Sequence, residues 1–266
     1  MIDIVEHLPL SAVAAAVLIA LICGILGVFV VLKNESFISD GIAHGSLLGV
    51  AIGLIFFEQP VLLAILVAVI MALTLSFLKS RADVKPDAAI GIVYPFMFAL
   101  GLILMNVGSI EHHELETFMF GDLHAVIWSD VALLLGILAV VAVLLIRFYR
   151  EIVLITFDAE FADLNGICVA VYETSYRVLL SIVIVLCIKT VGVVLVTSLF
   201  VISVVSARFL AKNFKQILLF SVLHNVFSVL LALLLVSVIP VHAFGSLIVV
   251  ASVAILLVIM MFFKRR

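Results

Sequence analysis

Apolar runs the length of a bilayer crossing decide what this chain can fold into. They fall at about 10–32, 38–57, 61–78, 88–106, 129–147, 177–206, 217–239 and 246–263. Most are close to the ~20 residues that span hydrocarbon as a helix. Of the 266 residues, 67% are hydrophobic, and the mean hydropathy is +1.50; a soluble domain lies nearer half apolar. The expectation is an all-α, polytopic transmembrane bundle forming a single domain over 1–266, with about eight or nine segments, some short or broken.

The sixth run is the anomaly, with Lys189-Thr190-Val191-Gly192 in its middle. Basic residues mark inner loops. They cluster at Lys79, Arg81 and Lys85, at Arg147 and Arg150, at Arg208, Lys212 and Lys215, and at Lys264, Arg265 and Arg266. Placing every cluster inside puts the N-terminus outside, the C-terminus inside and 107–128 outside. This works only if 177–206 crosses twice, turning near Lys189, which gives nine segments. A single tilted span is the alternative. Trp128 and Tyr149 suit the aromatic belts.

Polar residues inside such runs carry the chemistry. Asp40 and His44 are four residues apart, so on a helix they share a face, about 6 Å apart along the axis. An ionisable group there costs roughly 2.5–3.5 kcal/mol, and two in one turn call for an explanation. Carboxylate oxygen and imidazole nitrogen suit a borderline divalent cation; an Asp–His hydrogen bond that satisfies itself is the plainer reading. Beside the pair run Gly41, Gly45, Gly49 and Gly53, a stripe that lets another helix approach backbone to backbone. His224 and Asn225 lie in a later run, as a further ligand or as an interhelical hydrogen bond. Lys189 marks a break or snorkels outward.

Two connections stand out. The outer one holds Glu111, His112, His113, Glu114, Glu116, Asp122 and His124, a metal-handling surface or a solvated loop; His242 sits at a later outer turn. The inner one, 148–176, contains TFDAEFADLNGI. Asp158 suits an N-cap and Gly166 the C′ position of a short helix that carries Glu160 and Ala162. Such a helix fits a partner's groove or is an ordinary surface helix. Cys23, Cys168 and Cys187 are scattered and read as small hydrophobes. No GxxxxGK[ST] loop occurs, so any ATPase is expected in another chain. No nucleic-acid partner is expected.

Several segments, in order, resemble the permease subunits of ABC-type importers for zinc, manganese and iron(II). They are SFISDGIAHGSLLGVAIG at 36–53, FMFGDLHAV at 118–126, TFDAEFADLNGI at 156–167 and VGVVLVTSLFVISVVSARFLAK at 191–212. The resemblance implies a homodimeric, non-enzymatic permease in the bacterial plasma or inner membrane. Two cytoplasmic ATPase subunits would drive it, and an extracytoplasmic binding protein would deliver metal. It also implies that Asp40 and His44 lie on the metal path, and that Asp158, Glu160, Ala162 and Gly166 belong to the element coupling to the ATPase. The metal is transported and not held as a resident cofactor. The histidine-bearing loops favour zinc, with manganese or iron(II) as alternatives.

Two positions depart from the family pattern. Ser203 stands where the family usually has proline, so the kink the ring fixes is expected to be absent or differently produced. PVHAFGS at 240–246 is looser than the usual motif, although Gly245 fits. A secondary transporter using Asp40 and His44 as a proton relay is the competing class. In the metal reading, protonating His44 removes a ligand, so uptake is expected to weaken as pH falls.

Overall fold

The computed structural model describes residues 9–82, 84–108, 125–236 and 244–263. Every element among them is helical: α1 Leu10–Leu32, α2 Ile38–Gly45, α3 Leu47–Ile52, a π-turn Gly53–Phe57, α4 Pro60–Ala82, α5 Pro86–Val107 and α6 Trp128–Arg147. There follow α7 Tyr149–Phe157, α8 Ala159–Leu164, α9 Val169–Val191, α10 Val193–Leu210, α11 Phe214–Val236 and α12 Phe244–Phe262. Among the described residues nine helical segments are long and apolar enough to cross a membrane, with α2, α3 and the π-turn together forming one. The protein is a multi-pass membrane protein of all-α architecture.

The long sixth run divides as its length requires. α9 ends at Val191 and α10 begins at Val193, with Gly192 between them at φ +84° and ψ 167°. That corner of backbone space is essentially restricted to glycine, so one residue ends the first helix and re-aims the chain for the second. Lys189 lies exposed in the last turn of α9, just before this break. The division gives two span-length helices, as the charge pattern requires.

Expected boundaries shift at three places. The segment from 38 is divided into α2, to Gly45, and α3, from Leu47; Ser46 between them keeps helical bonds to the Ile42 carbonyl (2.9 Å) and from the Val50 amide (3.1 Å), while its hydroxyl donates to the Ala43 carbonyl (2.8 Å). The connection 148–176 is largely helical, through α7, α8 and the start of α9. α9 begins at Val169, earlier than the apolar run suggests, because its first turns carry Glu173 and Arg177. α10 runs unbroken through Ser203, whose Oγ donates back to the Leu199 carbonyl (2.8 Å). Without the proline ring no backbone bond is lost there.

The chain divides into two compact units: Met1–Val31, Thr117–Val141 and Thr190–Arg266 in one, Leu32–Glu116 and Ala142–Lys189 in the other. In the first, α10, α11 and α12 pack against one another. Asn225 on α11, fully buried, joins two neighbours: its Nδ2 donates to the Ala20 carbonyl of α1 and to the Leu199 carbonyl of α10, both at 3.1 Å. Ser221 Oγ donates to Ser203 Oγ (2.9 Å), and His224 Nε2 meets Ser252 Oγ of α12 (2.9 Å).

In the second unit, α2 and α3 pack on α4 and α5, and the glycine stripe shows how. A Cβ on Gly49 would run into the Leu63 carbonyl and the Ala64 backbone of α4, and one on Gly53 into Pro60. There the two backbones are in contact. At Gly41 and Gly45 the space is taken by side chains, Ile90 of α5 and Met71 of α4. The stripe therefore works as a backbone seam over its second half only.

Gly49→Val is expected to destabilise the protein by about 1–3 kcal/mol through overpacking. Gly91→Ala, inside α5 where a Cβ meets nothing within 4 Å, is expected to stabilise it by about 0.5–1 kcal/mol. Thermal unfolding in detergent checks both.

Candidate functional site

α2 presents its acid and imidazole as the spacing predicts. His44 Nε2 lies 3.4 Å from Asp40 Oδ1, with the side chains 24% and 43% exposed respectively. Neither is sealed in dry packing. Two ligands of a tetrahedral ion, each bound at about 2.0–2.1 Å, are themselves about 3.3–3.4 Å apart, so one cation fits both atoms as they stand. The imidazole is held from behind by α5. Phe98 meets it edge-on with ring centres 5.3 Å apart, and Tyr94 is 6.2 Å away. These two aromatic residues escaped the sequence reading. Their spacing on one face of the facing helix was a signal, masked by the many other phenylalanines in the apolar runs.

Two ligands do not make a resident site. Among the described residues no group of three or more His, Cys, Asp or Glu side chains is arranged to hold a metal. His224 is buried (5% exposed), with its Nε2 against Ser252 Oγ (2.9 Å) and its Nδ1 without a hydrogen-bond partner among the described residues. The loop carrying Glu111, His112, His113, Glu114, Glu116, Asp122 and His124 lies outside the described residues, as do His242 and most of FMFGDLHAV.

The short helix α8 has both expected ends. Asp158 Oδ1 accepts from the Phe161 amide (2.9 Å) at its N-terminus. At the other end Gly166, at φ +79°, donates to the Asp163 carbonyl (2.9 Å), and Ile167 donates to the Ala162 carbonyl (3.1 Å). This is a Schellman ending, in which a left-handed C′ residue closes two carbonyls at once. Ala162 is fully buried, whereas Glu160 is exposed.

A second polar cluster in the same unit was not foreseen. Arg177 of α9 is 4% exposed; its Nε (3.2 Å) and Nη2 (2.5 Å) both reach Glu35 Oε1, and its Nη1 reaches Ser76 Oγ of α4 (3.2 Å). Glu173, one turn earlier, accepts from Lys79 Nζ at 2.5 Å and lies 3.7 Å from Lys33 Nζ. Burial pushes the Lys33 ammonium below the ordinary lysine range, against the pull of Glu173 and Glu35 that holds it up. Charges this deep persist only when paired and hydrogen-bonded. In sequence these residues lie far apart and look like loop charges, so nothing short of the fold assembles them.

Comparison with known proteins points one way. The sequence profile of the ABC 3 transport family matches residues 6–263. The manganese transport system membrane protein MntC of Halalkalibacterium halodurans is 32% identical over 242 residues, covering 91% of this chain and 83% of that protein. The high-affinity zinc uptake system membrane protein ZnuB of Haemophilus influenzae is 27% identical over 256 residues, 96% of this chain and 97% of that one. Among solved structures, PsaBC from Streptococcus pneumoniae in complex with Fab matches at a TM-score of 0.83 and 27% identity, covering 97% of this chain and 93% of that one.

Asp158→Ala is expected to cost α8 about 0.5–2 kcal/mol by removing its cap, and Gly166→Val to strain the left-handed position. Hydrogen exchange at the amides of 161–167 is expected to speed up in both variants while the long helices keep their protection.

Proposed function

Because the chain belongs to the ABC 3 transport family, we propose that it is the membrane-spanning subunit of an ATP-driven importer and that its cargo is a divalent metal ion. It is a transport subunit and not an enzyme. The observation that carries the metal reading is the separation of 3.4 Å between Asp40 Oδ1 and His44 Nε2 on a partly accessible face of α2. One ion accepts both atoms without rearrangement.

A pair of ligands is what passage demands. Binding has to be strong enough to replace part of the hydration shell and weak enough to release the ion. The carboxylate supplies charge, and the imidazole, braced by Phe98 and Tyr94, supplies direction. The remaining coordination comes from water or from the same pair on a second copy, which makes a homodimer with four protein ligands the natural assembly. ATP hydrolysis belongs to separate subunits on the inner face, which α8 contacts through the exposed side around Glu160. A binding protein delivers the ion from outside. On this reading residues 1–266 act as one permease domain.

Between metals, the donor set admits zinc, manganese and iron(II). We favour zinc on the histidine-bearing loops of the sequence. The relatives include both a manganese and a zinc system, and manganese is the alternative this likeness supports.

In the assembled complex, Asp40→Asn and His44→Ala are each expected to lower metal uptake by about 10-fold or more with membrane assembly intact. Normal transport in both variants ends the proposal. Competition among zinc, manganese and iron(II) for uptake is expected to rank zinc first.

A further inference from the structure

Arg177 is more deeply embedded than either member of the metal pair, and its partners tie it to α2. Its guanidinium sends two nitrogens to one oxygen of Glu35. Glu35 is the residue whose carbonyl accepts the amide of Ile38, the first residue of α2 (2.9 Å). The side chain of the same residue is 2% exposed, and its Oε2 is buried without a hydrogen-bond partner. Where α2 starts is thus set by an ion pair with α9 as well as by the packing of α2 itself.

The other end of the connection is α8. Only the link 165–168 separates it from α9. Between them lies a cavity of about 640 Å³, open to the outside, whose walls include Glu160 and Asp163 of α8, Lys79 of α4, and Glu173 and Arg177 of α9. α8 thus shares this open cavity with Glu173 and Arg177, while its Ala162 is fully buried. A displacement of α8 changes the surroundings of Glu173 and Arg177 across the cavity.

We propose that Arg177 is a positioning residue for transport, holding α2 and its metal pair through Glu35 and passing movement of α8 to them through α9. The inference rests on the reading of the chain as an ATP-driven permease in which α8 meets the ATPase. Arginine suits the task because its planar fork spans Glu35 and Ser76 at once and its charge is permanent. Lysine keeps the charge and loses the fork. A cluster that merely satisfies buried charges has no reason to affect the ratio of ions moved to ATP consumed.

The experiment reconstitutes the permease with its ATPase and delivery protein in liposomes and measures zinc or manganese uptake and ATP hydrolysis together. The single change Arg177→Gln leaves Glu35 buried without a cation and risks misfolding. The double variant Glu35→Gln/Arg177→Gln removes both charges, while Glu173 keeps Lys79 and Lys33. The expected result is ATP hydrolysis close to wild type with ions moved per ATP lowered roughly tenfold, and an intermediate ratio for Arg177→Lys. Uptake and hydrolysis falling in proportion, or an unchanged ratio, overturns the proposal. If the double variant does not assemble, a wild-type ratio in Arg177→Lys overturns it equally. A wild-type complex that shows no ATP-dependent uptake removes the permease reading and this inference with it; normal wild-type uptake with an unchanged ratio removes the inference alone.

Discussion

A buried amide or guanidinium on an apolar helix reaches for partners on neighbouring helices, because no water is there to take their place. Each compact unit contains such a residue. In the first, Asn225 donates to carbonyls on α1 and α10 and so fixes three helices with two bonds. In the second, Arg177 joins α9 to α4 and to the entry of α2. Apolar packing between helices is nearly matched by packing against lipid, so directional contacts of this kind, with the close approach at Gly49, set which faces meet.

The pair Asp40 and His44 is under a different constraint. A structural site closes four ligands around its ion and keeps it. α2 offers two donor atoms at the separation of a shared coordination edge, with side chains partly accessible. Rigidity comes from the neighbours: two aromatic rings on α5 hold the imidazole, and small residues let α4 and α5 come close behind it. The pair is well oriented, and among the described residues no further His, Cys, Asp or Glu side chains join it in a group of three.

Much of this was legible in the sequence, for reasons that differ by element. The spans are visible because twenty apolar residues have few other uses, and the division of the long sixth run followed from charge placement alone. The capped helix α8 was readable from Asp158 and Gly166, since caps are local chemistry. The pair at 40 and 44 was readable because helical spacing is fixed. What escaped notice is non-local. The cluster of Lys33, Glu35, Lys79, Glu173 and Arg177 is brought together only by the fold, and its acidic and basic members had blurred the start of α9 into a loop. The boundary between α2 and α3 at Ser46 also escaped, because nothing in SLLGVAIG marks a helix end and the backbone stays helical there.

The half-length seam has a mechanical consequence. Beyond Ser46 the segment is pinned, with Gly49 and Gly53 seated on the backbone of α4. Ser46 keeps both of its i→i−4 backbone bonds, so α2 continues from the pinned part. Around Gly41 and Gly45 the neighbours are the side chains of Ile90 and Met71, which can change rotamer where a backbone cannot. The acid and imidazole ride on this side-chain-packed end, so yielding there would shift both while the seam below stays closed.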